Sequence, residues 1–107
     1  MLHNTVFQKI TNAGPFCASH VGRVSTQQKL YLGTSCHQSI IPQHEFMHAL
    51  GYWHEQQRPD RDQHIRLHRD RCFLSDQAYS VNFGSIGEKW NKNLDNEYDI
   101  NSIMHYG

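Results

Sequence analysis

The sequence lacks three features: a net charge, a long apolar stretch and the pattern of a secretory signal. Lysine plus arginine equals aspartate plus glutamate, at 10 each, so no net charge attracts the chain to nucleic acid or to an anionic membrane. No stretch approaches the roughly 20 apolar residues of a membrane span. The first residues also lack the charged-then-apolar pattern of a secretory signal. We therefore expect no nucleic-acid partner and no membrane span, and a defined chemical site is the best guide to function.

The second half of the chain contains many arginines, but they do not form a basic surface. Aspartates are interleaved with them, which is typical of a solvated and internally paired region. The residues are Arg58, Asp60, Arg61, Asp62, Arg66, Arg69, Asp70 and Arg71. The part from Arg58 to Asp62 is predicted to be a salt-bridged turn with a structural role.

Histidine is abundant, and one short stretch places three imidazoles and a carboxylate at informative spacings. His44 and His48 are four residues apart, so on a helix they lie on one face and can bind the same ion. Glu45 lies about 100° around that helix from His44. There it can hydrogen-bond a metal-bound water without being a ligand itself. The spacing predicts two metal ligands and a general base on one helix.

Gly51 and His54 extend this pattern beyond the helix. Glycine tolerates positive φ at a helix C-terminus, so Gly51 can end the helix and let His54 approach the ion from another direction. A bare His-Glu-x-x-His is expected by chance in about 3% of sequences of this composition, whereas the extended pattern falls to on the order of 10⁻⁴. The alternative, an ordinary capped helix with solvated histidines, needs no such clustering.

Three neutral histidines and one water form an open, catalytic zinc site, since structural zinc sites are closed by four protein ligands. We therefore expect one Zn²⁺ per chain, bound by His44, His48 and His54. Zinc would activate the water, and Glu45 would accept its proton. The spacing therefore predicts a metal-dependent hydrolase.

The secondary structure is predicted from local pattern. Residues 5–10 and 28–32 are predicted strands, and residues 21–25 are a candidate third strand. A helix is predicted from about residue 41 to residue 50, and its apolar residues indicate that it is largely buried. Residues 84–96, rich in glycine and asparagine, are predicted to form a long surface connection.

Three separated blocks resemble the astacin family of zinc endopeptidases, which are metzincins. The blocks are HEFMHALGYWHEQQRPDRD from His44, SIMHYG from Ser102 and CASHVGR from Cys17. The resemblance implies an α+β, zincin-like fold: a twisted mixed β-sheet packed on an active-site helix, followed by a loop-rich segment that ends in a Met-turn. It also implies that residues 1–107 are a partial catalytic domain, lacking the N-terminal part and most of the C-terminal subdomain.

The resemblance implies that the reaction is hydrolysis of peptide bonds without a covalent intermediate, in which Glu45 passes the proton of the water to the leaving amine, and that the substrate is a polypeptide. It also assigns further site residues. It implies that Met104 forms an apolar floor under the imidazoles, and that Tyr106 binds zinc at rest and stabilises the oxyanion during catalysis. Through water, Glu55 would contact the mature N-terminus.

The resemblance also assigns a disulfide and a substrate-binding edge. Cys17 and Cys36 would be disulfide-bonded, which with the family implies a secreted protein. Cys17, Ala18 and Ser19 would form a sheet edge that pairs with extended substrate. From the residues alone, a plain loop is an equally good interpretation of that segment.

Two other functions remain open at this level. One is a truncated, non-catalytic zinc-binding fragment, and the other is a disulfide-stapled interaction module in which zinc is incidental. Cys72 has no assigned partner; we interpret it as a buried small hydrophobic residue, and pairing outside the chain is the alternative.

Overall fold

The computed structural model describes residues 7–12, 14–38, 40–87 and 95–107. The chain divides into two units, Met1–Tyr52 and Trp53–Gly107. No helix among the described residues combines the length and the apolar character that crossing a bilayer requires.

The first unit contains a three-stranded mixed sheet. Its strands are β1 (Phe7–Thr11), β2 (Cys17–Ser19) and β3 (Gln27–Leu32), in the order β1-β3-β2. β3 pairs in parallel with β1 and antiparallel with β2. Alternate β3 residues are buried, and Leu30 is fully buried at 0% exposure. The prediction of a strand at residues 28–32 is confirmed, and so is the described part of the prediction at residues 5–10.

The third strand was predicted in the wrong place. Residues 21–25 form no strand, and Cys17–Ser19 takes that role instead. Gly22 has φ +72°, and its N–H donates to the His48 carbonyl at 2.7 Å. The buried Gln28 side chain binds the Gly22 carbonyl at 3.0 Å and the Val24 N–H at 3.0 Å. A glutamine side chain therefore satisfies backbone groups that a neighbouring strand would otherwise pair.

Helix α1 (Ile40–Ala49) follows the sheet and packs against β2 and β3. The helix was predicted within one residue at each end. It ends in a Schellman arrangement, in which Gly51 N–H donates to the His48 carbonyl at 2.8 Å and Tyr52 N–H to the Met47 carbonyl at 3.1 Å. Gly51 has φ +106°, the left-handed conformation predicted for it.

The prediction that α1 is largely buried is wrong. Its buried residues are Glu45 and His48, whereas Ile40, Phe46 and the following Leu50 are exposed, Leu50 at 74%. The buried positions of α1 are thus occupied by the predicted metal ligand His48 and the predicted general base Glu45. Polar groups in such a position need hydrogen-bonding partners or a function.

The second unit consists of short 3-10 turns and one helix. The turns are Glu55–Gln57, Arg61–Gln63 and Arg69–Arg71, and the helix is α2 (Asp76–Phe83). Ser75 caps α2, because its hydroxyl accepts a hydrogen bond from the Ala78 N–H at 3.2 Å. Among its described residues, 53–87 and 95–107, there is no strand. α2 was not predicted from the sequence, and residues 88–94 of the predicted connection lie outside the described residues.

The predicted salt-bridged turn is present and is centred on a buried arginine. The Arg58 guanidinium binds both carboxylate oxygens of Asp60 at 2.9 and 2.8 Å, and Glu55 at 3.0 Å. It also donates to the carbonyls of Asn96 and Glu97. The hydrogen bond from Arg58 lowers the pKa of Asp60. This network holds residues 96 and 97 against the turn that follows His54.

Cys17 and Cys36 form the disulfide that the resemblance implied. It joins β2 to the loop after β3 across a sequence separation of 19 residues. Cys72 is free and half-buried rather than buried, and the adjacent Phe73 is fully exposed. Together, the mixed sheet and the two helices confirm the predicted α+β class.

We expect the double variant Cys17→Ser, Cys36→Ser to lower the free energy of unfolding by about 2–4 kcal/mol, because the crosslink restricts the unfolded chain. Chemical denaturation followed by circular dichroism measures the change. Cys72→Ser is the matched control and should leave stability within about 0.5 kcal/mol of wild type. Equal losses in the two variants would contradict a stabilising role for the disulfide.

Candidate metal site

His44 and His48 stand one turn apart on α1. Their ring centroids are 4.6 Å apart, with the rings nearly perpendicular. His48 Nδ1 lies 2.8 Å from the Tyr52 carbonyl oxygen. A carbonyl can only accept, so Nδ1 carries the proton and Nε2 carries the lone pair of the neutral ring. The helix terminus that Gly51 permits thus also orients a histidine.

Burial lowers the pKa of His48. The hydrogen bond to the Tyr52 carbonyl acts in the opposite direction, and His44 contributes a smaller lowering effect. The net result favours the neutral imidazole, which is the form that binds a metal ion.

Glu45 is buried, at 7% exposure, beside these histidines. Burial raises the pKa of its carboxyl group, while His44 and a backbone hydrogen bond from Ser19 act in the opposite direction. A carboxylate with raised proton affinity is well suited to accept a proton from water. β2 therefore contributes a backbone contact to Glu45, and no local sequence pattern indicates this contact.

The ligand atoms of His44, His48 and His54 all lie within 4.8 Å of one another. Among the described residues, no other group of three or more His, Cys, Asp or Glu side chains is arranged in this way. Zinc binds imidazole nitrogens at about 2.0–2.1 Å, so nitrogens on one tetrahedral ion are about 3.4 Å apart. The three imidazoles match zinc in donor type, and their ligand atoms are close enough together that they could hold one ion.

Met104 is buried, and its backbone is tied to the residue that follows His54. The Glu55 N–H donates to the Met104 carbonyl at 2.9 Å. The turn itself is closed by the His105 N–H, which donates to the Ser102 carbonyl at 2.9 Å, and the Met104 N–H donates to the Ser102 hydroxyl at 3.1 Å. A tight turn containing methionine is thus present where the sequence resemblance placed it.

Tyr106 lies beside His54, with the two ring centroids 4.6 Å apart. Its hydroxyl donates to Asn82 Oδ1 at 3.0 Å, and its side chain is partly exposed, at 36%. Its ring also contacts Phe83 edge-on, at 5.8 Å between centroids. The ring of Tyr106 thus lies next to the predicted ligand His54, and its hydroxyl is hydrogen-bonded to a residue of α2.

Comparison with known proteins agrees with this arrangement. A family model described as Astacin, a family of peptidases, matches residues 3–107. The chain belongs to the astacin family.

Relatives of this astacin-family chain include enzymes from several animals. Meprin A subunit beta of Rattus norvegicus is 43% identical over 94 residues, which cover 87% of this chain and 13% of that protein. Zinc metalloproteinase nas-37 of Caenorhabditis elegans is 40% identical over 94 residues, or 88% of this chain and 12% of that protein. The astacin-family chain thus spans about an eighth of the length of these relatives.

A solved relative has the same fold. High choriolytic enzyme 1 from Oryzias latipes, a hatching enzyme zinc-protease, superposes with a TM-score of 0.82 at 38% identity. The match covers 95% of this chain and 48% of that one. The predicted metzincin fold class is therefore confirmed. That residues 1–107 are only part of a catalytic domain stays a prediction.

The described sheet of the astacin-family chain ends at β2, which pairs with β3 on one side. Ala18 is exposed there, while Cys17 and Ser19 are half-buried. The predicted substrate edge is therefore an edge strand among the described residues.

Several polar residues near the site were not identified from the sequence. His54 Nδ1 lies 3.1 Å from Gln57 Oε1, and Gln56 Oε1 accepts the Tyr106 N–H at 3.1 Å. Both glutamines are buried. Their position directly after His54 and Glu55 was the one sequence feature that could have drawn attention to them. Their partners on α2 are distant in sequence, so no local pattern indicates these contacts.

We expect the purified chain to bind one zinc ion, and His48→Ala to lose it, since two remaining imidazoles make a weaker site. Elemental analysis after dialysis measures the bound metal. His37→Ala removes an exposed histidine of the same unit and should retain one equivalent. Equal zinc content in His48→Ala and wild type would exclude His48 as a ligand.

Proposed function

We propose that this chain carries the zinc centre of a metalloendopeptidase that hydrolyses peptide bonds in polypeptide substrates. The observation that carries the proposal is the gathering of the His44, His48 and His54 ligand atoms within 4.8 Å. The buried carboxyl group of Glu45, next to His44 in the chain, adds the base that hydrolysis needs. Membership of the astacin family supports the same chemistry.

In this proposal His44, His48 and His54 would hold one zinc ion, and Tyr106 would be a further ligand at rest. When bound, zinc supplies a Lewis acid that activates water and polarises the scissile carbonyl. Glu45 accepts the proton of the attacking water and delivers it to the leaving amine. Its burial supports this role, because the desolvated carboxyl group has a raised pKa and holds the proton between the two steps.

Tyr106 donates a hydrogen bond to the oxygen on which negative charge develops. Its place beside the His54 ring and its partial exposure support this role. To do so, the hydroxyl exchanges its present partner, Asn82 Oδ1, for the substrate oxygen. Met104 forms the apolar floor under the three imidazoles in this proposal, and its burial supports that role.

The substrate backbone binds along β2, at residues Cys17, Ala18 and Ser19. An edge strand offers main-chain groups to an extended peptide irrespective of its side chains. The Cys17–Cys36 disulfide fixes this strand to the loop after β3. We further propose that the protein functions in an oxidising extracellular compartment, where such a disulfide persists.

We expect Glu45→Gln to retain zinc and to lower the rate of peptide hydrolysis by about 10²–10⁴-fold, because the variant removes the general base and leaves the three imidazoles intact. The measurement pairs zinc content with cleavage of a quenched fluorescent peptide by the same sample.

Glu97→Gln, at an exposed position, is the matched control and should cleave at the wild-type rate. A wild-type chain that binds zinc and cleaves nothing would support a non-catalytic zinc-binding role. Peptide cleavage that persists after a chelator has removed the zinc would contradict both the zinc-dependent mechanism and the non-catalytic zinc-binding role.

A further inference from the structure

We infer that Gln57 is a positioning residue for the zinc ligand His54. Its buried amide, held by backbone carbonyls at the end of α2, fixes the His54 ring in the tautomer whose Nε2 binds the metal. The inference rests on the proposed function, in which His54 is a ligand. It adds a residue that affects metal affinity without being one of the three histidine ligands.

The orientation of the Gln57 amide follows from its partners. The side chain is 5% exposed, and its Nε2 lies 2.9 Å from the Val81 carbonyl oxygen and 3.4 Å from that of Gly84. Carbonyl oxygens only accept hydrogen bonds, so the NH₂ group must face α2. The amide oxygen therefore points the other way.

That oxygen determines which nitrogen of His54 is protonated. Gln57 Oε1 lies 3.1 Å from His54 Nδ1 and can only accept a hydrogen bond. The proton of the neutral ring is therefore on Nδ1, and the lone pair is on Nε2. Metal-bound histidines commonly donate their second ring N–H to such a partner, which fixes the tautomer and orients the ring.

The end of α2 provides a rigid support for this contact. The last carbonyls of a helix have no partner within the helix. Here Gln57 binds the Val81 carbonyl, Gln56 Nε2 binds that of Asn82 at 3.3 Å, and Arg61 Nη1 binds that of Phe83. Buried amides in these positions cannot turn over without leaving donors and acceptors unpaired.

Gln56 provides an internal comparison. It is 1% exposed and bound to the same helix, yet its oxygen accepts from the Tyr106 backbone N–H rather than from an imidazole. Replacing Gln56 removes a buried amide and a contact with α2 while sparing the bond to His54. The Gln56→Leu variant is therefore matched to Gln57→Leu in burial and in structural role.

The test combines two measurements on the whole chain. The first is the tautomer of His54 in the metal-free protein near pH 8, read from long-range ¹H–¹⁵N NMR correlations and assigned with His54→Gln. The second is the zinc dissociation constant, measured by competition with a chromophoric chelator. The variants are Gln57→Leu, Gln57→Glu and Gln56→Leu.

In wild type we expect the Nδ1–H tautomer. Gln57→Leu should lose this preference and bind zinc about 10–100-fold more weakly. Gln57→Glu keeps an acceptor for Nδ1–H but cannot donate to the Val81 and Gly84 carbonyls, so it should retain the tautomer and the zinc affinity while losing stability. Gln56→Leu should retain the tautomer.

The Nε2–H tautomer in wild type would overturn the inference even if every variant failed to fold. Equal weakening of zinc binding in Gln57→Leu and Gln57→Glu would also overturn it, because that result reflects only the lost support from α2. Failure of wild type to bind zinc, with the Nδ1–H tautomer present, would contradict the proposed function instead.

Discussion

The rest of this structure depends on one constraint, which is that its buried polar side chains must find hydrogen-bonding partners. Six buried residues are polar or charged: Gln28, Glu45, His48, Gln56, Gln57 and Arg58. In the part of the chain that the structure describes, the buried hydrophobic residues are Leu30, Cys36 and Met104. An unpaired polar group in such a place costs about 1–3 kcal/mol or more. Among the described side chains, only Gln8 Oε1 is buried without a partner. These pairings specify where the loops lie, and the loops carry much of the candidate site.

The same pairings prepare the histidines for a metal. His48 donates through Nδ1 to a carbonyl at the helix end, and His54 donates through Nδ1 to a glutamine. In both rings the lone pair is thereby left on Nε2. Burial lowers the pKa of His48 and raises that of Glu45, so a neutral ligand and a proton acceptor arise on one helix. The hydrogen bonds that pair these buried side chains therefore also orient the imidazoles for binding a metal ion.

The parts predicted correctly from the sequence are those determined by local spacing. The four-residue separation of His44 and His48 and the conformation of Gly51 follow from helix geometry alone. Other features depend on contacts between distant residues, and no local pattern reports them. Gln57 is hydrogen-bonded to Val81, which is 24 positions away in the sequence. In residues 21–25 the Val24 N–H is bound by the Gln28 side chain rather than by a neighbouring strand. The prediction that α1 is largely buried was wrong because its apolar residues Ile40 and Phe46 are exposed, while its buried positions are occupied by Glu45 and His48.

X-ray absorption spectroscopy of the zinc-loaded chain tests directly whether three imidazoles bind one zinc ion. We expect three imidazole nitrogens at about 2.0–2.1 Å and a remaining shell of oxygen. A sulfur scatterer at about 2.3 Å would contradict it, because zinc would then be bound by a cysteine. A spectrum with fewer than three imidazoles would contradict it as well.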